Sequence, residues 1–144
     1  MPLISVTRLR VRSFLYLPEF LWDTFRSVRQ VQRSPGFLGG RLLVNARSVF
    51  WTMTAWQDES AMNAYRTGGA HRKAMPKLLN WCDEAAVVHW IQDSAEIPDW
   101  QQAQEHMAEK GKLSKVNHPS AVQASQQIPA PRSSRIARTL KPAR

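Results

Sequence analysis

A chain of 144 residues, 43% of them apolar, can build one core of ordinary size and not two. Its net charge of +9 is unevenly placed: seven of the 20 Lys/Arg and none of the 11 Asp/Glu lie beyond residue 110. A nucleic acid or anionic membrane partner is therefore suggested only for that C-terminal part. The lone Cys82 excludes an internal disulfide and any CxxC-type zinc site.

At the N-terminus, Arg8, Arg10 and Arg12 fall where a signal peptide needs apolar residues, and Pro18 and Glu19 interrupt the run Phe14–Trp22. No signal peptide or membrane span is expected, and the protein is read as cytoplasmic. Leu3 to Arg12 alternates as a strand does. Pro18 suits the first turn of a helix whose inward face is predicted to carry Leu17, Leu21, Thr24, Phe25, Val28 and Val31, with Trp22 at its border. The helix ends at Pro35-Gly36. A second strand, Arg41 to Ala46, leads through a tight turn at Asn45–Ser48 into a third, Val49 to Trp56. Asp58 is placed to cap a short helix that Gly68-Gly69 ends, and a further segment from Ala70 should kink or restart at Pro76. The last strand is Ala85 to Gln92. Pro98-Asp99 then starts a polar helix that Gly111 stops.

The third and fourth strands are apolar on both faces. Phe50 and Trp56 lie opposite Val49, Trp51, Met53 and Ala55, and Val88 and Trp90 lie opposite Val87 and Ile91. Both faces of the sheet should therefore be covered. With the helices on one side and no residues assigned to a second layer, a second copy of the chain is the expected cover. The order β-α-β-β-α-β predicts an α+β, ferredoxin-like domain over residues 1–110, with a four-stranded antiparallel sheet. Residues 111–144, rich in Pro, Ser, Ala and Gln, are expected to form a disordered basic tail.

The run FWTMTAW, the acid-led helix QDESAMNAY and the segment GAHRKAM resemble the antibiotic biosynthesis monooxygenase family of dimeric α/β-barrels. FLGGRLL and WCDEAAVVHW look like an uncharacterised bacterial subgroup with similarity to spheroidene monooxygenase. The resemblance spans roughly residues 3–110 and implies a homodimer with a pocket between each sheet and its own helices. It places Trp56 where relatives keep a cavity-lining tryptophan at the end of the third strand. Cofactor-free relatives have an asparagine four residues earlier, where this chain has Thr52. Haem-degrading relatives carry a ligand histidine on the helix of His71, at a position nearer Met75. The cofactor is thus left open between none and haem.

His71 is the candidate for proton transfer, because imidazole titrates near neutrality and this one sits at the head of a helical segment with Ala74, Met75, Leu78 and Cys82 on its face. Trp56, Thr52, Phe50, Tyr65 and His89 are the candidate substrate-binding residues. Four of them also have a structural alternative: Trp56, Tyr65 and His89 as core side chains, and His71 as a locally bonded helix-end histidine. Catalytic triads, phosphate loops and carboxylate metal clusters have no counterpart in the sequence. In the tail, Arg132, Arg135, Arg138, Lys141 and Arg144 recur every third residue, which aligns them along one edge of an extended chain. Three functional classes follow. One is an oxygenase acting on an aromatic or polyene small molecule. Another is a non-catalytic dimer that binds a hydrophobic ligand or protein partner, with the tail tethered to an anionic surface. The third is a nucleic-acid accessory protein that binds weakly and nonspecifically through the tail.

Overall fold

The computed structural model describes residues 1–45, 48–94, 96–130 and 135–143. Its elements are β1 (Leu3–Val11), α1 (Leu17–Gln32), β2 (Phe37–Asn45), β3 (Val49–Trp56), α2 (Glu59–Arg66), α3 (Gly69–Trp81), β4 (Cys82–Ile91), α4 (Trp100–Lys110), β5 (Lys112–Leu113), α5 (Ala121–Ala124) and β6 (Arg135–Leu140). The first seven form the expected ferredoxin-like unit, with antiparallel strands in the order β4-β1-β3-β2. The sheet has six strands rather than four, because β5 adds to β4 at one edge and β6 adds to β2 at the other. The expected turn at Asn45–Ser48 falls partly on residues 46–47, outside the described residues.

Local chemistry sets most boundaries. Asp58 caps α2 by accepting a hydrogen bond from the Ala61 N–H at 2.8 Å. Asp99 and Gln102 form a reciprocal capping box at the start of α4. The helix does not restart at Pro76: α3 runs from Gly69 to Trp81 with Pro76 inside it. Arg72, whose carbonyl loses its donor there, is exposed, so water can take the place of the missing N–H.

The inward face of α1 differs from the expected one. Phe20 and Val31 are buried with Leu17 and Val28 packed beside them, whereas Leu21, Trp22 and Phe25 point to solvent. Apolar residues occur on both sides of this helix, so periodicity alone could not choose between them. Packing chose the side on which the Phe20 ring reaches Phe50, with centroids 4.6 Å apart.

The second cover of the sheet is the chain's own. Ile4, Val6, Leu43, Trp51, Met53, Ala55, Ala86 and Val88 pack against Ala103 and Met107 of α4, with Ile97, Trp100, Leu113 and Ile128 around them. Trp100 meets Trp51 edge-on at 6.4 Å, and His106 stacks on Trp90 at 3.8 Å. Trp100, Ala103 and Met107 follow helical spacing, which gives an otherwise polar helix one apolar stripe. The premise that a second copy must cover this face is therefore corrected. Pairing through it would have to displace α4.

The tail expected to be disordered joins the sheet as well. Gln123 accepts a hydrogen bond from the Ala85 N–H and donates to the carbonyls of Ala85 and Ser114, extending the short β5 edge with a side chain. Ser120 donates to Glu84 at 2.9 Å, and Glu84 also receives the buried Arg8 at 2.7 Å and Arg10 at 3.0 Å. The β6 strand ends with Leu140 buried beside Trp56, and the Ala143 N–H bonds the carbonyl of Gln32. Composition missed this because much of the anchoring is by hydrogen bonds and single apolar residues. Of the tail's threefold pattern, Arg138 and Lys141 are exposed, while Arg132 and Arg144 lie outside the described residues. Among the described residues no helix is long and apolar enough to cross a membrane.

Candidate functional site

Strand register puts the helix-facing side chains in rows across the sheet. The end row is Phe37, Trp56, Leu3 and Ile91. Next come Thr54, Ser5 and His89, then Leu42, Thr52, Thr7 and Val87, and then Val44, Phe50, Leu9 and Ala85. A polar band of Ser5, Thr7, Thr52, Thr54 and His89 thus separates two apolar clusters, one around Trp56 and one around Phe20, Trp81 and Cys82. Thr7, Thr52 and Thr54 are only half-buried although they belong to central strands on the helix-covered side, and His89 is exposed where β4 runs past the short β5 and becomes the sheet edge. The helices therefore cover the two ends of this face more fully than its middle.

At one end of the band a line of aromatic rings leads from the sheet to α3. The buried Trp56 indole N–H donates to Thr54 Oγ1 at 2.9 Å. The Trp56 ring lies 5.3 Å from that of Tyr65, and Tyr65 lies 4.7 Å from the imidazole of His71. Burial raises the Tyr65 phenol far above its ordinary value, more than the bond with Ser27 lowers it, so the group stays protonated. His71 Nδ1 is 3.3 Å from the Arg66 carbonyl. Because a carbonyl only accepts, Nδ1 carries the proton and Nε2 keeps its lone pair. Burial pulls the His71 pKa below its ordinary 6.5; the Arg66 carbonyl opposes the shift and the Arg66 charge adds to it. The imidazole is thus neutral at neutral pH. His89 is lowered too: although the residue is exposed, its ring is partly shielded from water, and the charges of Arg66 and Lys112 add to the shift while Glu59 opposes it.

The expected site residues are only partly brought together. Trp56, Tyr65 and His71 form one contact chain, and Thr52 and His89 belong to the adjoining band. Phe50 does not join them: it packs on Phe20 and closes the far end, six residues or about 20 Å along β3 from Trp56. Two depressions of the described surface are lined by none of Trp56, Phe50 and Thr52, the residues expected to form the pocket. One, of about 350 Å³, runs from Gln30 and Ser34 to Asp58, Ala61 and Tyr65. The other, of about 370 Å³, lies between Trp22, Asp23 and Lys77.

Gln30 was missed by sequence reasoning. Its side-chain amide donates to the carbonyls of Tyr65 at 3.1 Å and Gly68 at 2.9 Å, and its oxygen accepts the His71 N–H at 2.8 Å. One α1 side chain thus joins the end of α2 to the start of α3 and fixes His71. Gly69, at φ 54°, would carry any Cβ about 3.0 Å from that amide, so both its backbone conformation and the close approach call for glycine. Arg66, Ser5, Thr7 and Thr54 were missed as well. The Thr/Ser alternation along β1 and β3 was the available signal, since small hydroxyls at every second position under helices leave space.

Comparison with solved structures returns the same architecture. SnoaB from Streptomyces nogalater, a cofactor-independent oxygenase, is 17% identical with a TM-score of 0.53, over 65% of this chain and 94% of its own. Rv0793 from Mycobacterium tuberculosis is 12% identical with a TM-score of 0.58, over 67% of this chain and 100% of its own. A conserved protein of Methanosarcina mazei Go1 is 12% identical with a TM-score of 0.56, over 65% of this chain and 94% of its own. At these identities the likeness is one of fold. Among curated proteins none matches the sequence significantly. Residues 18–77, from the start of α1 to the middle of α3, match the family model for antibiotic biosynthesis monooxygenase.

Proposed function

We propose that the protein is an oxygenase of this class, acting on an aromatic or polyene small molecule laid along the polar band. The observation that carries the reading is the Trp56–Tyr65–His71 stack, which joins an imidazole with its Nε2 lone pair to the indole that bonds the Thr54 hydroxyl at the end of the polar band. In the reaction, His71 Nε2 takes a proton from an activated methylene of the substrate. The carbanion adds O2 to give a peroxide, and His71 returns the proton. Loss of water then leaves a ketone. One oxygen atom ends in the product and one in water, so no outside reductant is required. Thr52 and Thr54 hydroxyls orient the substrate oxygens, and Trp56 supports one end of the flat molecule.

Haem does not fit these residues as arranged. Met75 is exposed on α3, the His71 ring is stacked against Tyr65, and neither of the two surface depressions described above contains either residue. The proposed chemistry uses none. SnoaB, a cofactor-independent oxygenase on the same fold, supports this choice by analogy.

The test is oxygen uptake against hydroxylated polycyclic aromatics that carry a benzylic methylene. Wild-type turnover should fall on the acid side with a midpoint below 6.5, where His71 becomes protonated. His71→Ala should abolish turnover with its circular dichroism unchanged; full activity in that variant would remove the assigned role. The apolar clusters on either side of the half-buried band favour one second reading, a non-catalytic module that binds a hydrophobic ligand. Saturable binding without oxygen uptake would select it.

A further inference from the structure

The outer side of α1 carries apolar surface that the fold does not use. Phe14 and Leu15, in the turn before the helix, are 83% and 85% exposed, and Leu21, Trp22 and Phe25 are 50%, 61% and 51% exposed. Pro18, Leu21, Trp22 and Phe25 fall on one side at helical spacing, with Phe14 and Leu15 projecting just before them. The Trp22 and Phe25 rings stack at 5.9 Å, and the Arg29 guanidinium lies 5.8 Å from the Phe25 ring centre. These side chains pack on one another and on no core.

Charge identifies what the patch meets. Arg26, Arg29 and Arg33 are exposed along the same helix and form no ion pair among the described residues. Arg72 and Lys73 are exposed on the neighbouring α3. The C-terminal strand returns to the end of α1, where Gln32 bonds the Lys141 carbonyl and Ala143, so exposed Lys141 joins the same end. Of the acids on α1, Asp23 is held by Lys77 at 3.1 Å, leaving Glu19. A second copy of the chain pairing through this same face would bring the same excess of cations.

We propose that α1 and the Phe14–Leu15 turn form a docking face for an anionic phospholipid bilayer. Trp, Phe and Leu side chains on a helix lying flat enter the headgroup boundary, while arginines beside them reach the lipid phosphates. The face is independent of the polar band, which lies beneath the helices.

The test is co-sedimentation of the full chain with phosphatidylcholine vesicles, with or without an equal share of phosphatidylglycerol. Binding should need the anionic lipid and weaken as salt rises. Trp22→Ala combined with Phe14→Ser should weaken it roughly tenfold or more through lost apolar burial. Arg29→Ala should cost roughly fivefold, as expected for one cation near such a surface. All these sites are exposed, and circular dichroism should show the fold intact. Failure to bind anionic vesicles would overturn the proposal. So would binding unchanged by Trp22→Ala with Phe14→Ser, which would assign attraction to charge alone. Dimerisation in solution that is lost in this variant would give the face to a second copy instead.

Discussion

Gln30→Met tests how the candidate site is held together. The substitution keeps the length of the side chain and removes three hydrogen bonds, to the Tyr65 carbonyl, the Gly68 carbonyl and the His71 N–H. Each contributes about 0.5–1.5 kcal/mol net. The groups are half-buried, so water can replace part of the loss, and a cost of about 2–3 kcal/mol is expected. For a chain of this size that corresponds to a Tm lower by roughly 6–10 °C. Gln30→Glu separates the three bonds. Its carboxylate still accepts the His71 N–H but cannot donate to either carbonyl, so it should be destabilised while His71 keeps its place. Urea unfolding gives the free energies, and NMR titration of the His71 ring reports its surroundings. In Gln30→Met the ring should become more exposed and its pKa should return toward 6.5; in Gln30→Glu the shift should be better kept. A loss below about 0.5 kcal/mol in Gln30→Met, with His71 titrating as in wild type, would refute the claim that this side chain positions the imidazole.

Two further perturbations address the other face of the sheet. Glu84 is the one side chain among the described residues that hydrogen-bonds the buried Arg8, so Glu84→Gln should cost about 3–5 kcal/mol in urea unfolding. Replacing the pair together by Arg8→Met and Glu84→Leu should cost less than the single change. Burial raises the Glu84 carboxyl, but bonds from Arg8, Ser120 and Arg10 outweigh it and hold its pKa below the ordinary 4.5. Its stabilisation is therefore complete above about pH 4.5 and lost as pH falls through the lower folded value. The neighbouring Asp83 acts in the opposite sense, since burial raises its pKa, so the difference between wild type and Glu84→Gln is the quantity to follow. Removing residues 97–143 would uncover Ile4, Val6, Trp51, Met53 and Val88, and light scattering should then show self-association. A shortened chain that stayed monomeric and equally stable would show that α4 covers nothing of consequence.

Much of the fold could be read from the chain because its signals are local. Alternation marks β1 and β3, Asp58 and Asp99 mark helix starts by what their side chains bond, and apolar residues on both faces of β3 and β4 require two covering layers. The resemblance carried Trp56 and the α2–α3 pair to their places. What covers the second face could not be read this way. Trp100, Ala103 and Met107 are three apolar residues in a polar helix, and Gln123 is an ordinary glutamine until it meets the backbone of Ala85. The side that α1 turns inward was equally undetermined, since both sides are apolar and the choice rests on the fit of Phe20 against Phe50 and of Val31 into the cluster around Trp56. The candidate site divides along the same line. His71, Tyr65 and Trp56 are recognisable as residue types, but Gln30 lies 41 positions from His71, and its role exists only where α1 crosses the α2–α3 junction. The sequence by itself determined the elements and the number of faces to be buried, because those follow from period and capping. Tertiary structure alone decided which surface fills each face and which side chains meet, because these depend on contacts between segments far apart in the chain.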